Sequence, residues 1–179
     1  GNNTKIIMPV ILPVKGVQPI FGKNCFIAPN ATIVGNVQMG NDCSIWFNAV
    51  LRGDVNIIRM GNKVNVQDGA IIHCTYEKAA TTIGNNVSIG HNAIVHGCVI
   101  HDNVLIGMGA IVMDNAVVGS NTIIGAGAVV LANTKIEPGS VYAGIPAKKV
   151  KNISEEMVSG EIKRIADNYV MYSSWFVSE

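Results

Sequence analysis

Three of the chain's four histidines fall in one short stretch, as Ile72-His73-Cys74, Gly90-His91-Asn92 and Val95-His96-Gly97. Imidazole is the commonest metal donor in proteins. Three imidazoles hold a tetrahedral zinc ion and leave its fourth position to water, the arrangement of a catalytic rather than a structural site. Iron or cobalt would suit the same donors. The fourth histidine, His101, reads as a solvated residue. Chemistry at the other three depends on the elements that hold them.

Those elements are read from a repeat. From Phe21 a large apolar residue recurs every six positions, at Ile27, Ile33, Met39, Ile45, Leu51 and Ile57. A small or β-branched residue follows four positions later, as at Cys25, Ala31, Val37, Cys43, Ala49 and Val55. The phase slips near Met60, resumes at Val66 and Ile72, and breaks at Thr75–Thr82. It returns at Ile83, Ile89 and Val95, drops one residue, and continues from Ile100 to Ile136. This period is neither helical nor a plain strand alternation. It fits a short strand plus a corner, with the repeated apolar residue pointing inward. Such units bury a core only by stacking on one another.

The predicted organisation is a capping segment over residues 1–20, stacked repeats over 21–150, and a helix over 151–179. Asn152 and Glu155 form a helix-starting pair. Val158, Ile162, Ile165, Tyr169, Tyr172 and Phe176 then recur on one helical face. Cys25 and Cys43 occupy one inward slot on adjacent turns and read as small core residues. Cys74 and Cys98 flank the histidines and read as packing residues.

Composition narrows the functional classes. A formal net charge of +1 argues against nucleic acid or an acidic membrane as partner. No apolar run is long enough to span a bilayer. Ile6–Val14, broken by Pro9 and Pro13, is too short for a secretory signal. Four cysteines without a CxxC pair suit a reduced, cytoplasmic protein.

Counting repeat units around three faces, with the two slips as protruding loops, puts Leu51, Ile72 and Val95 on successive turns. The next residues, Arg52, His73 and His96, then stack in one outward column. Adjacent turns lie about 5 Å apart, so two imidazoles can converge on one ion. His91 belongs to the preceding unit, on another face. A neighbouring copy related by a threefold axis would bring it to the same ion, giving a homotrimer with a metal at each interface.

The hexads resemble the hexapeptide-repeat family, whose fold is a left-handed parallel β-helix: an all-β chain, here with a C-terminal α-helix. The residues Arg52-Gly53-Asp54, Asn65-Val66-Gln67-Asp68-Gly69, His73 and Gly90-His91-Asn92-Ala93-Ile94-Val95-His96-Gly97 resemble the gamma-class carbonic anhydrases. That resemblance implies zinc held by His73 and His96 of one chain and His91 of the next. It implies that Gln67 and Asp68 lie beside the metal-bound solvent and that Arg52 and Asp54 form an interface ion pair. By alignment of the C-terminal helix, Tyr169 overhangs the metal. The implied activity is reversible hydration of CO2 to bicarbonate.

Two departures from the fastest members imply slow turnover. Val55 stands where they carry a glutamate directly after the Arg-x-Asp triplet. Their acidic loop is reduced to Thr75–Thr82, with Glu77 its only carboxylate. The alternatives are acyl transfer to or from coenzyme A, which needs an interface histidine free of metal, a thioesterase activity, and a non-enzymatic trimeric scaffold.

Overall fold

A computed structural model describes residues 7–176. Residues 1–6 of the expected cap and residues 177–179 of the expected helix lie outside the described residues. Short parallel strands stack into a three-faced left-handed β-helix. One face carries Val10–Leu12, the first half of Thr32–Met39, the first half of Val50–Met60, Ile71–His73, Ile94–His96, Ile111–Val112 and Val129–Val130, each paired with the next. It is called the histidine face below. The second face continues Thr32–Met39 and Val50–Met60 into Thr81–Ile83, Val99–Ile100, Val117–Val118 and Lys135–Ile136. The third runs from Phe26–Ile27 through Ser44–Ile45, Asn65–Val66, Val87–Ile89, Val104–Ile106 and Thr122–Ile124 to Ser140–Ala143. Lys148–Asn152 closes this sheet as an antiparallel strand.

The sequence dictates this stacking directly. Ile33, Leu51, Ile72, Val95, Val112 and Val130 point inward from the histidine face and are fully buried. The chain turns each corner through left-handed backbone, which Asn, Asp and Gly adopt more readily than other residues. Asn48, Gly69, Asn92, Gly109 and Gly127 do so along one corner column. Along another edge, the side-chain amides of Asn41, Asn62 and Asn85 each accept from a backbone N–H of the preceding turn, at 2.8 Å. Glycine is required where turns touch: a Cβ on Gly107 would lie 2.5 Å from the Ala126 nitrogen.

Two sequence expectations are corrected here. The phase slip lies not near Met60 but at Asp54–Ile57: Gly35 pairs with Gly53, and Val37 then pairs with Ile58. Ile58 is buried, whereas Ile57 is 37% exposed and points out. Val55 accordingly belongs to the insertion rather than to an inward slot. The helix start is also displaced. Ser154 is the N-cap, its hydroxyl accepting from the Met157 N–H at 3.2 Å, and Asn152 ends the preceding strand.

The C-terminal helix is α-helical over Glu155–Met157, widens to a π-helix over Val158–Lys163, and is α-helical again over Arg164–Ser174. It lies on the third face, with Ile162 and Ala166 buried. Tyr169 meets Trp46 edge-on at 5.3 Å between ring centres. The four cysteines are free thiols. Burial pushes the Cys98 thiol up to about 12. Cys25 and Cys43 sit on adjacent turns, where hydrogen bonding from Cys43 brings Cys25 down to about 7.

Candidate metal centre

The histidine face brings two of the three candidate ligands together. His73 and His96 lie directly opposite each other on adjacent strands. Arg52 follows Leu51, which lies opposite Ile72, so the outward column is Arg52, His73, His96. Outward position follows from the two-residue alternation of strands: Ile72 and Val95 point in, and the next residue points out.

The ring nitrogens are fixed by carboxylates. His73 Nε2 is 2.9 Å from Asp54 Oδ1, and Arg52 Nη1 donates to Asp54 Oδ2 at 2.7 Å. His96 Nδ1 is 2.6 Å from Asp114 Oδ1. Thr75 Oγ1 donates to the other Asp114 oxygen. Burial pushes the Asp54 carboxyl up, but hydrogen bonds from Arg52 and His73 outweigh it and hold the group below the usual carboxylate range. At Asp114 burial also raises the pKa, and hydrogen bonds from Thr75 and His96 overcome it. Ionised carboxylates only accept, so His73 Nε2 and His96 Nδ1 carry the protons in these contacts.

The inner nitrogens, His73 Nδ1 and His96 Nε2, face each other at 3.2 Å. With both outer nitrogens donating, two lone pairs point into one gap, which therefore calls for a cation. Two nitrogens at tetrahedral angles and 2.0–2.1 Å from one zinc ion lie about 3.3–3.4 Å apart. The donor set and the spacing fit a divalent ion. Carboxylates behind metal-binding imidazoles are the usual means of fixing tautomer and ring orientation.

His91 is elsewhere. It sits in the turn between Val87–Ile89 and Ile94–His96, with Nδ1 2.9 Å from Asp68 Oδ2. Among the described residues of one chain, no three His, Cys, Asp or Glu side chains gather closely enough to hold a metal. His91 lines a groove of about 360 Å³ with Gln67, Leu105, Met108, Tyr169 and Tyr172. Gln67 is buried and donates to Asn65 Oδ1 at 3.0 Å, which leaves its carbonyl oxygen available. Burial, then the nearby Asp68 charge, pushes the Tyr169 hydroxyl up to about 12, so it stays protonated at neutral pH.

The candidates thus form two groups: Arg52, Asp54, His73 and His96 on the histidine face, and Gln67, Asp68, His91 and Tyr169 at the corner and groove. His101 is exposed and joins neither. Glu77 is at the exposed tip of the Thr75–Ala79 loop, with φ 57°. Sequence reasoning missed two residues. Asp114 is on the turn after His96, and stacking the repeat would have brought it near. Thr81, fully buried, accepts from the Gly97 N–H and donates to the His73 carbonyl, each at 2.8 Å. It fixes both histidine strands from behind.

A left-handed β-helix with outward histidines backed by carboxylates defines the class: a hexapeptide-repeat protein with a candidate metal site. The family described as bacterial transferase hexapeptide (six repeats) matches residues 19–53, 80–114 and 97–132. A probable carbonic anhydrase of Methanocaldococcus jannaschii is 52% identical over 153 residues, covering 86% of this chain and 93% of that protein. The mitochondrial gamma carbonic anhydrase 2 of Arabidopsis thaliana is 39% identical over 90% of this chain, which spans 60% of that protein's length. A crystal structure of a hexapeptide transferase family protein from Anaplasma phagocytophilum superposes with a TM-score of 0.89 at 38% identity, covering 94% of this chain and 98% of that one. The chain belongs to the gamma carbonic anhydrase family of hexapeptide-repeat proteins.

Proposed function

We propose that this chain is a zinc-dependent gamma-type carbonic anhydrase that works as a homotrimer. In this reading His73 and His96 of one chain and His91 of a neighbouring copy hold the ion. The observation that carries it is the 3.2 Å approach of His73 Nδ1 and His96 Nε2, each ring fixed from behind by an aspartate. The relatives named carbonic anhydrase support the same reading.

The outer surfaces favour assembly. Val50, Ile71, Ile94, Ile111 and Val129 form an outward aliphatic column beside the histidines. Ile71 is 41% exposed, and Met108, beside His91 in the groove, is 58% exposed. Apolar surface at both half-sites is buried if the histidine face of one copy meets the His91 corner of the next.

A bound zinc ion would supply a water molecule acidified to near neutrality, together with Lewis acidity toward oxygen. The chain's own groups do the rest. Asp54 and Asp68 hold His73 and His91 with one nitrogen free. The Gln67 carbonyl can accept a hydrogen bond from the attacking oxygen and aim it at CO2. Tyr169 keeps its proton and can donate to the oxygens of bicarbonate. Leu105 and Met108 give CO2 an apolar wall. With Val55 in the insertion and Glu77 at a loop tip, no carboxylate among the described residues of the chain lies close other than the histidine-bound aspartates, so proton removal to buffer limits turnover. The free thiols suit a cytoplasmic protein.

The test is metal analysis of untagged protein together with stopped-flow CO2 hydration. Zinc near one ion per chain, with turnover that rises and saturates with imidazole concentration, is expected. A metal-free trimer would end the proposal. Acyl transfer is the second reading, favoured by the Asp68–His91 pair, in which Nε2 could serve as a general base. A zinc-bound His91 has no free lone pair for that work, so metal content separates the two.

A further inference from the structure

We propose that Asp114 is a positioning residue: with Thr75 it fixes the His96 ring so that Nε2 faces His73, and it ties the Thr75–Ala79 loop to that nitrogen. The inference rests on the reading of His73 and His96 as metal ligands and adds a group that this reading does not name. One Asp114 oxygen contacts His96 Nδ1 at 2.6 Å, and the other accepts from Thr75 Oγ1. The carboxylate therefore bridges a ligand and a loop that are distant in sequence.

The local backbone is built for that bridge. Asp114 precedes Asn115, a corner residue with φ 62°, whose N–H donates to the Gly97 carbonyl at 2.7 Å. The Gly97 N–H in turn donates to the His73 carbonyl at 3.1 Å. Gly97 has φ 57°, and a Cβ there would lie 2.5 Å from Asp114 Oδ1 and 2.8 Å from the Ala79 Cβ. Only glycine at 97 lets the carboxylate and the loop close in on His96. The loop is braced on its other side by Asn56, whose amide donates to the Thr75 carbonyl at 3.3 Å. The two insertions in the repeat, 54–57 and 75–79, thus meet each other, and Thr75 carries the contact on to Asp114.

A neutral imidazole with one proton can place it on either nitrogen. A carboxylate 2.6 Å from Nδ1 places it there and leaves Nε2 as the lone-pair atom. Without Asp114 the ring is free to put the proton on Nε2, the form whose lone pair no longer faces His73.

Nitrogen-15 NMR of the imidazoles in metal-free protein, and zinc affinity by competition with a chromophoric chelator, test this. In the parent chain His96 is expected to carry its proton on Nδ1 at neutral pH. Asp114→Ala should lose that signature and weaken zinc binding by about 10–100-fold. Asp114→Asn, whose amide oxygen still accepts, should keep the Nδ1 proton and lose less affinity. Thr75→Val should fall between Asp114→Ala and the parent. If Asp114→Ala lowers the melting temperature but leaves zinc affinity and the His96 signature unchanged, the role is structural and the proposal is overturned. If the parent chain binds no zinc, the metal reading fails, while the His96 spectrum of Asp114→Ala still decides whether Asp114 fixes the ring. Should Asp114→Ala not fold, Asp114→Asn and Thr75→Val carry the same comparison.

Discussion

The turns that carry the histidines and the turns below them are built from one repeat and differ in regularity. From Val104 to Ile136 each inward residue is followed six positions later by the next, and every strand pairs in step. Between Gly53 and Ala79 the repeat is interrupted twice, by Asp54–Ile57 and by the Thr75–Ala79 loop. The residues fixed around His73 and His96 come largely from those interruptions: Asp54 from the first, Thr75 from the second. The regular turns supply stability by burial and also Asp114, and the interruptions supply Asp54 and Thr75. The candidate site lies where the regular histidine column meets the two interruptions.

The comparison can be broken from the regular side first. Ile106→Ala empties a fully buried position and should cost roughly 2–5 kcal/mol. The melting temperature should fall by many degrees. Alanine substitution at an outward histidine, in His73→Ala, His91→Ala or His96→Ala, should instead remove most bound zinc. It should leave the metal-free melting temperature close to that of the parent. A His73→Ala chain that loses as much metal-free stability as Ile106→Ala would erase the distinction.

Much of this was legible in the sequence, for physical reasons. Inward positions tolerate only apolar residues of limited size, so their period survives in the chain and gives the fold. The Arg52, His73, His96 column followed from the same counting. The first slip was misplaced because Ile57 and Ile58 are adjacent and either could fill the inward slot; only pairing with Val37 selects Ile58. Ser154 displaced Asn152 as helix cap because the closing strand extends through Asn152, and both residue types can cap. Asp114 was missed because it lies one step past the histidine column, and Thr81 because it begins a strand of the second face. Their importance depends on side-chain direction, which the period does not encode. The π-helical stretch left no trace in the apolar spacing.

A smaller effect sharpens the account of the insertions. Val55→Glu places a carboxylate in the first interruption, and kcat at low buffer should rise several-fold while kcat/KM for CO2 stays nearly constant. An unchanged kcat would mean that the lost acid is not what slows proton removal.

The smallest expected effect concerns acid stability. Asp54 and Asp114 both have carboxyl pKa values depressed in the folded chain. Their contribution is present above the unfolded carboxylate pKa and is lost as pH falls through the lower folded value. The melting temperature of the metal-free chain should therefore drop below about pH 4, and the drop should be shallower in Asp54→Asn and in Asp114→Asn. Equal slopes in all three chains would place the acid sensitivity elsewhere.

The central claim is that one metal site draws on two chains, and mixed assemblies test it most directly. His91→Ala and His96→Ala chains are unfolded together, refolded at equal amounts, and assayed for zinc per chain after native mass spectrometry establishes mixed trimers. Neither variant alone should hold zinc. Random mixing of two chain types around a threefold axis should restore about one quarter of the interfaces, where an intact histidine face meets an intact His91 corner. Mixed trimers that recover no zinc, or a parent monomer that keeps its full complement, would contradict the account.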